Sequence, residues 1–127
     1  MKVLNIQTTD GEISKVEWDV ARQSKTIKEL LDNLGIEEDS TNEDTIPIPN
    51  DEVTGEIFKH CLVWMEKNRG KTDFQRDHNE MNEWEKEYVN MPVSQMLPIL
   101  IAGNFLEIEG LIVIFLQQFK LKYSSNK

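Results

Sequence analysis

Apolar and polar residues alternate in two short segments near the start of the chain, Lys2–Gln7 and Glu12–Trp18. Alternation with a period of two is typical of strands that bury one face. Asp10-Gly11 lies between the segments, and this dipeptide tolerates the backbone conformations that tight turns require. The pattern therefore predicts an N-terminal β-hairpin.

The next apolar residues follow a helical period, and Gly35 supplies the left-handed stop that often ends a helix. Two starts are open for this amphipathic helix. Thr26 forms a capping-box pattern with Glu29, and Ser24 is a competing cap. The predicted buried face consists of Ile27, Leu30, Leu31 and Leu34.

An edge strand and a longer helix are predicted in the middle of the chain. Thr45–Asn50 contains two prolines, which lack the N–H that a central strand needs. Asn50 or Asp51 is expected to cap the helix, which ends near Gly70. Polar loops are predicted at 37–44 and 71–82. The apolar stripe of the helix is Val53, Ile57, Phe58, Cys61, Leu62 and Met65.

Three helical segments are predicted in the C-terminal third. The first is a short turn marked by Trp84, Tyr88 and Met91. The second runs from Ser94 to about Phe105, and the last from about 111 to 122, followed by a disordered tail at 123–127. Pro98 disfavours a helix interior, so we expect either the late start at Ser94 or a local bend.

The order of elements predicts one α+β domain over residues 1–127, with a small sheet and helices packed on it. Its net charge of −9 and pI near 4.7 argue against binding to nucleic acid or to an anionic membrane surface. The longest apolar run, Leu111–Leu116, is too short for a membrane span. A single cysteine favours a reducing compartment, so we expect a cytoplasmic and nuclear protein.

Candidate catalytic chemistry is sparse. Cys61 shares an apolar stripe and is interpreted as a core thiol, and its neighbour His60 points elsewhere on a helix. His60 and His78 lack the further ligands of a zinc site. We predict no catalytic residue, no metal and no cofactor. An enzyme remains as an alternative only through an unfamiliar site.

Five segments in one order resemble the S-phase kinase-associated protein family, the adaptor subunits of SCF-type (cullin–F-box) ubiquitin ligases. Together they span most of the chain. The segments are TTDGEI at 8–13, ARQSKTIK at 21–28, IPIPN at 46–50, WEKEY at 84–88 and IAGNFLEIEGL at 101–111.

The resemblance implies a BTB/POZ fold, a small three-stranded sheet flanked by helices, and a non-catalytic adaptor role. Asn104 and Phe105 fall where the family has an Asn-Tyr pair at the cullin surface, with Phe105 keeping the ring but not the hydroxyl. Leu97 and Leu100 fall at positions that help line the F-box side. The expected partners are therefore a cullin and F-box proteins, with Asn104 and Phe105 facing outward and Leu97 and Leu100 facing the F-box or the core.

Two departures from the family widen the expectation. The family continues with further helices that grip the F-box, whereas this sequence ends at Lys127. The last helix is apolar on every side, so some of Ile112, Val113 and Phe115 are expected to face water unless another chain covers them. This predicts self-association, and the alternative function is a BTB-type homodimer or interaction module without ligase function.

Overall fold

The computed structural model describes residues 2–39, 45–69 and 81–125, with side chains as far as 122. Most of the two predicted polar loops and the end of the tail lie outside these ranges. The described strands are β1 (Val3–Gln7), β2 (Ile13–Glu17) and β3 (Thr45–Pro47). The described helices are α1 (Trp18–Ala21), α2 (Lys25–Leu34), α3 (Gly55–Lys67), α4 (Glu83–Tyr88), α5 (Val93–Leu106) and α6 (Glu109–Ser125).

The sheet has the order β2-β1-β3, with β1 antiparallel to β2 and parallel to β3. The predicted hairpin is confirmed, and Gly11 in its loop has the positive φ of 88°. Alternation along β1 buries Leu4 and Ile6. The proline-containing strand β3 lies at an edge, as its missing donors require. The sequence pattern therefore predicted the sheet well.

One short helix, α1, was not predicted. The alternating pattern extended the second strand through Trp18, but β2 ends at Glu17 and α1 begins at Trp18. Val20 and Ala21 are both buried together with Trp18. Neighbouring strand residues point to opposite faces, so burial of both breaks the alternation of a strand with one buried face.

The N-cap of α2 is Ser24 rather than Thr26. The Ser24 hydroxyl oxygen accepts a hydrogen bond from the Ile27 N–H at 3.1 Å, and Gly35 ends the helix with φ 70°. The capping box predicted at Thr26 is therefore wrong. The Thr26 hydroxyl bonds elsewhere, to α5.

The cap of α3 also differs from the prediction. Asn50 does not cap the helix, because its side-chain oxygen accepts from the Glu52 N–H at 2.9 Å and closes a local turn. Thr54 is the cap and accepts from the Ile57 N–H at 3.3 Å. The fully buried Val53 lies between this turn and the cap of α3.

A carboxylate from the hairpin loop supports the same helix end. Both oxygens of Asp10 accept from the Gly55 N–H, at 3.1 and 3.2 Å. The Thr8 hydroxyl donates to Asp10, and this bond, followed by the bond from Gly55, holds the pKa of Asp10 below its ordinary value. The hairpin is thereby attached to the first turn of α3.

An aromatic cluster packs α4 on α3 and α6. The rings of Trp84 and Tyr88 are stacked with centroids 5.1 Å apart, and Tyr88 and Phe115 form a T-shaped pair with centroids 5.8 Å apart. The Tyr88 hydroxyl donates to the His60 carbonyl at 2.6 Å. These contacts show that the aromatic residues of the segment at 84–88 pack α4 against its neighbours.

The last two helices start earlier than predicted. α5 begins at Val93, so the late start at Ser94 is wrong and Pro98 lies inside the helix; the local bend stays a prediction. α6 extends to Ser125, so the predicted disordered tail is helical at 123–125. No helix in the described ranges is both long enough and apolar enough to cross a bilayer.

Candidate protein-interaction surface

α5 has one buried and one exposed face. Its buried residues contact the core, and the opposite side carries large apolar side chains that are 41–46% exposed. These exposed residues recur every three or four positions and so form one stripe. We call them, with the exposed Asn104, the outer stripe of α5: Val93, Leu97, Ile101 and Asn104.

Three neighbouring exposed aliphatic side chains are unusual in a helix that also buries a full face. Single exposed apolar residues are common on protein surfaces and need no explanation. A contiguous row edged by polar residues is typical of a surface that contacts another protein. The outer stripe is therefore the candidate interaction surface of the described residues.

The four predicted site residues divide differently from the expectation. Asn104 and Leu97 are exposed, whereas Phe105 and Leu100 are half-buried and pack against the core. Seven residues make almost two helical turns, which places 97 and 104 on one face, while neighbours diverge by about 100°. Phe105 therefore faces outward only in part, and Leu97 does not face the core, which leaves the F-box side as the open alternative for Leu97. The binding roles of all four residues stay predictions.

The C-terminal end of α5 is closed by its own backbone. Glu107 adopts the left-handed conformation with φ 54°. Its N–H donates to the Asn104 carbonyl at 3.2 Å, and the Ile108 N–H donates to the Gly103 carbonyl at 3.0 Å. This pattern satisfies two terminal carbonyls and turns the chain into α6.

The next three carbonyls are satisfied by consecutive residues at the start of α2. The Thr26 hydroxyl donates to the Phe105 carbonyl at 2.6 Å, and the buried Ser24 hydroxyl donates to the Leu106 carbonyl at 2.5 Å. The Lys25 N–H approaches the Glu107 carbonyl at 3.5 Å. We call this contact between residues 24–26 and 105–107 the seam.

An ion pair extends the seam at the surface. The Lys25 ammonium lies 2.8 Å from the Glu109 carboxylate, and its bond to Glu109 raises the pKa of Lys25 above its ordinary value. Both side chains are more than half exposed, so solvent screens the pair and it adds little stability. The hydroxyl bonds of Ser24 and Thr26 are the main polar contacts of the seam.

α5 and α6 approach closely at Gly103. A Cβ at this position would lie 2.5 Å from Leu111 Cδ2, closer than side chains pack. Leu111 is fully buried, as are Ile114 and Phe115 on the same helix. Phe115, which contacts the ring of Tyr88 on α4, is therefore not one of the residues that face water. Ile112 and Val113 are half-buried.

Of the residues considered for catalysis, Cys61 and His60 lie in the described ranges. Cys61 is fully buried, and burial raises the pKa of its thiol to about 12, which confirms its interpretation as a core residue. His60 is exposed on the neighbouring position of α3. Within the described ranges, no three histidine, cysteine, aspartate or glutamate side chains lie close enough to hold a metal ion. His78 lies outside those ranges.

The sequence contained a signal for the part of the surface that was missed. Val93 and Ile101 lie four residues before and after Leu97, so a helix with Leu97 exposed also exposes them. Ser24 and Thr26 were recognised only as alternative caps. Their partners on α5 are 79 and 82 residues away in the sequence, and local pattern gives no signal for such pairs.

The sheet with its surrounding helices defines an α+β fold of the BTB/POZ kind. A family profile described as the Skp1 family, tetramerisation domain, matches residues 2–70. The chain belongs to the Skp1 family.

Three similar proteins extend the match over both halves of the chain. A Skp1-related protein of Caenorhabditis elegans is 29% identical over 117 residues, covering 86% of this chain and 65% of its own. The E3 ubiquitin ligase complex SCF subunit sconC of Talaromyces stipitatus is 30% identical, with 86% and 68% covered. The SKP1-like protein 4 of Arabidopsis thaliana is 29% identical, with 87% and 69% covered. The chain thus spans about two thirds of these relatives' length.

Proposed function

We propose that this protein is a non-catalytic adaptor of an SCF-type ubiquitin ligase, joining a cullin to F-box substrate receptors in the cytoplasm and nucleus. The observation that carries the proposal is the outer stripe, an exposed apolar row on α5. Membership of the Skp1 family supports it, as does the SCF subunit named among the relatives.

The proposed cullin contact lies at the C-terminal end of α5. Asn104 offers an exposed amide with both a donor and an acceptor, and Phe105, the next residue, adds a half-buried aromatic ring. Aromatic side chains held in a packed position are frequent energetic centres of interfaces, because little side-chain entropy is lost on binding. Here the core already holds Phe105.

The proposed F-box contact lies nearer the N-terminal end of the same helix. Leu97 is 46% exposed, and Leu100 is half-buried on one flank of the outer stripe. Leu97 and Asn104 are seven residues apart, which corresponds to about 10 Å along a helix. Two partners bound at these positions would be neighbours on one rigid element. An adaptor of this kind acts by fixing the distance and orientation between its partners.

A bridging assay tests the function directly. An F-box domain is immobilised, and a cullin N-terminal domain is passed over it with and without this protein. Retention of the cullin only in the presence of the protein supports the adaptor role. If the protein binds either partner alone but never retains both, bridging is contradicted and a simple interaction module remains.

Self-association is a second candidate function, favoured by exposed apolar residues on α6. Leu116 and Leu121 are 53% and 58% exposed. We expect size-exclusion chromatography with light scattering at tens of micromolar to give a mass above that of the 14.8 kDa chain. Leu116→Gln should lower the measured mass, and Leu34→Gln, at an equally exposed leucine of α2, should not. A clean monomer for the wild type contradicts this candidate.

A further inference from the structure

We infer that Thr26 is a positioning residue for the cullin contact: its hydroxyl, on α2, fixes the last turn of α5 where Asn104 and Phe105 lie. The inference rests on the proposed function and adds a residue that does not itself touch the partner. It starts from the seam, where α2 supplies the partners of three successive α5 carbonyls.

The bond from Thr26 reaches the proposed contact most directly. Its acceptor is the carbonyl of Phe105 itself, at 2.6 Å. A carbonyl in the last turn of a helix has no N–H of its own helix to accept from. Without the hydroxyl, this half-buried carbonyl has no hydrogen-bond partner, which costs free energy. A shift of the turn toward water would relieve that cost.

The neighbouring bonds make the position of this turn well determined. Ser24 holds the Leu106 carbonyl and also caps α2, so its loss would damage two elements together. Thr26 has the simpler role, because Ser24 rather than Thr26 caps the helix. Thr26 therefore offers the cleaner substitution for separating position from stability.

The backbone geometry on the far side of the turn limits how it can move. Glu107 is in the left-handed conformation, which is unfavourable for a residue with a side chain. The conformation is held between the fully buried Leu106 and the nearly buried Ile108. A turn anchored on this side and released at Phe105 would reorient Asn104 and Phe105 rather than unfold the helix.

The test compares two substitutions of Thr26. Thr26→Val keeps the shape and removes the hydroxyl, whereas Thr26→Ser keeps the hydroxyl. We expect Thr26→Val to weaken binding to a cullin N-terminal domain by about three- to tenfold in isothermal titration calorimetry. A factor of ten corresponds to about 1.4 kcal/mol, near the upper limit for one neutral hydrogen bond. Thr26→Ser is expected to bind like the wild type.

Thr54→Val is the matched control for stability. Thr54 is also a half-buried threonine whose hydroxyl makes a helix-end bond, but it lies at the start of α3. It should lower the denaturation midpoint without changing cullin affinity. Amide hydrogen exchange adds a second measurement, in which Thr26→Val should speed exchange at Glu107 and Ile108 while Thr54→Val should not.

The outcomes separate this inference from the proposed function. If the wild type binds the cullin domain and Thr26→Val binds it with the same affinity, the inference is overturned and the adaptor role is unaffected. Equal weakening by Thr26→Val and Thr54→Val also overturns it, since general destabilisation then explains the loss. Absence of wild-type binding to every cullin domain tried overturns both.

Discussion

The two ends of α5 are built in different ways. At the C-terminal end, the carbonyls of residues 103–107 all have hydrogen-bond partners, three of them from α2. At the N-terminal end, Pro92 stands at the cap without a side-chain bond, and Pro98 interrupts the backbone pattern. One end is fixed by polar bonds, and the other is held mainly by the burial of Met96 and Ile99.

This difference suits the two proposed partners. A polar, fixed end presents Asn104 in one geometry, which favours recognition of one kind of partner because little order has to be gained on binding. An apolar end without such bonds presents Val93 and Leu97, whose contacts are less directional and accept varied partners. One helix thus carries two kinds of surface, and substitutions at its two ends should differ in their effects.

The first prediction compares the same substitution at both ends. Leu106→Ala removes a fully buried side chain beside the seam and should lower the free energy of unfolding by about 2–5 kcal/mol. Leu97→Ala, at an exposed position, should cost less than about 1 kcal/mol. Chemical denaturation measures both. Equal costs would show that the two positions are not buried as described.

The second prediction removes the backbone irregularity of the N-terminal end. Pro98→Ala restores the N–H that a helix donates to the carbonyl of Ser94, and should stabilise the protein by about 1–3 kcal/mol. Pro92→Ala is the control, because Pro92 lies at the cap and interrupts no helical bond. A loss of stability in Pro98→Ala would mean that the packing of the ring outweighs the missing bond.

The third prediction concerns the start of α3, which is bound by the Asp10 carboxylate, whereas the start of α5 has no side-chain cap. Asp10→Asn weakens the contact with Gly55 and should destabilise the protein modestly at neutral pH. The pKa of Asp10 is lowered in the folded protein, so its contribution is complete above the ordinary carboxyl pKa and is lost as pH falls through the lowered value.

Thermal unfolding at a series of pH values measures this dependence. The difference between wild type and Asp10→Asn should be constant from pH 7 to about 5 and shrink below about 4. Asp32→Asn, at an exposed position of α2, serves as the control and should show a smaller difference at neutral pH. A difference that grows as the pH falls would contradict the assigned role of Asp10.

The sequence predicted elements better than their ends. Alternation and helical periods identified the hairpin, the edge strand and the main helices, because burial of one face imposes these periods. The caps at Ser24 and Thr54 were less accessible, since several nearby residues have suitable side chains and the packing of the whole fold selects one. The seam depends on residues about 80 positions apart, which only the folded chain brings together.

The candidate site was predicted in part. The resemblance directed attention to Asn104 and Leu97, and the structure exposes both on one stripe. It also suggested an outward Phe105, whereas the ring is half-buried, because the helical period turns it about 100° from Asn104. A resemblance matches residue types at given positions. Which face of the helix each residue occupies has to be inferred from the burial of the neighbouring residues.

The affinity of Asn104→Lys for a cullin N-terminal domain measures whether the C-terminal end of α5 is the cullin contact. Asn33→Lys, the same change at an exposed asparagine of α2, controls for the added charge. If the fixed end of α5 is the cullin contact, Asn104→Lys should bind at least about tenfold more weakly than the wild type, as expected at an interface centre, and Asn33→Lys should bind normally. Wild-type affinity in Asn104→Lys would contradict the account.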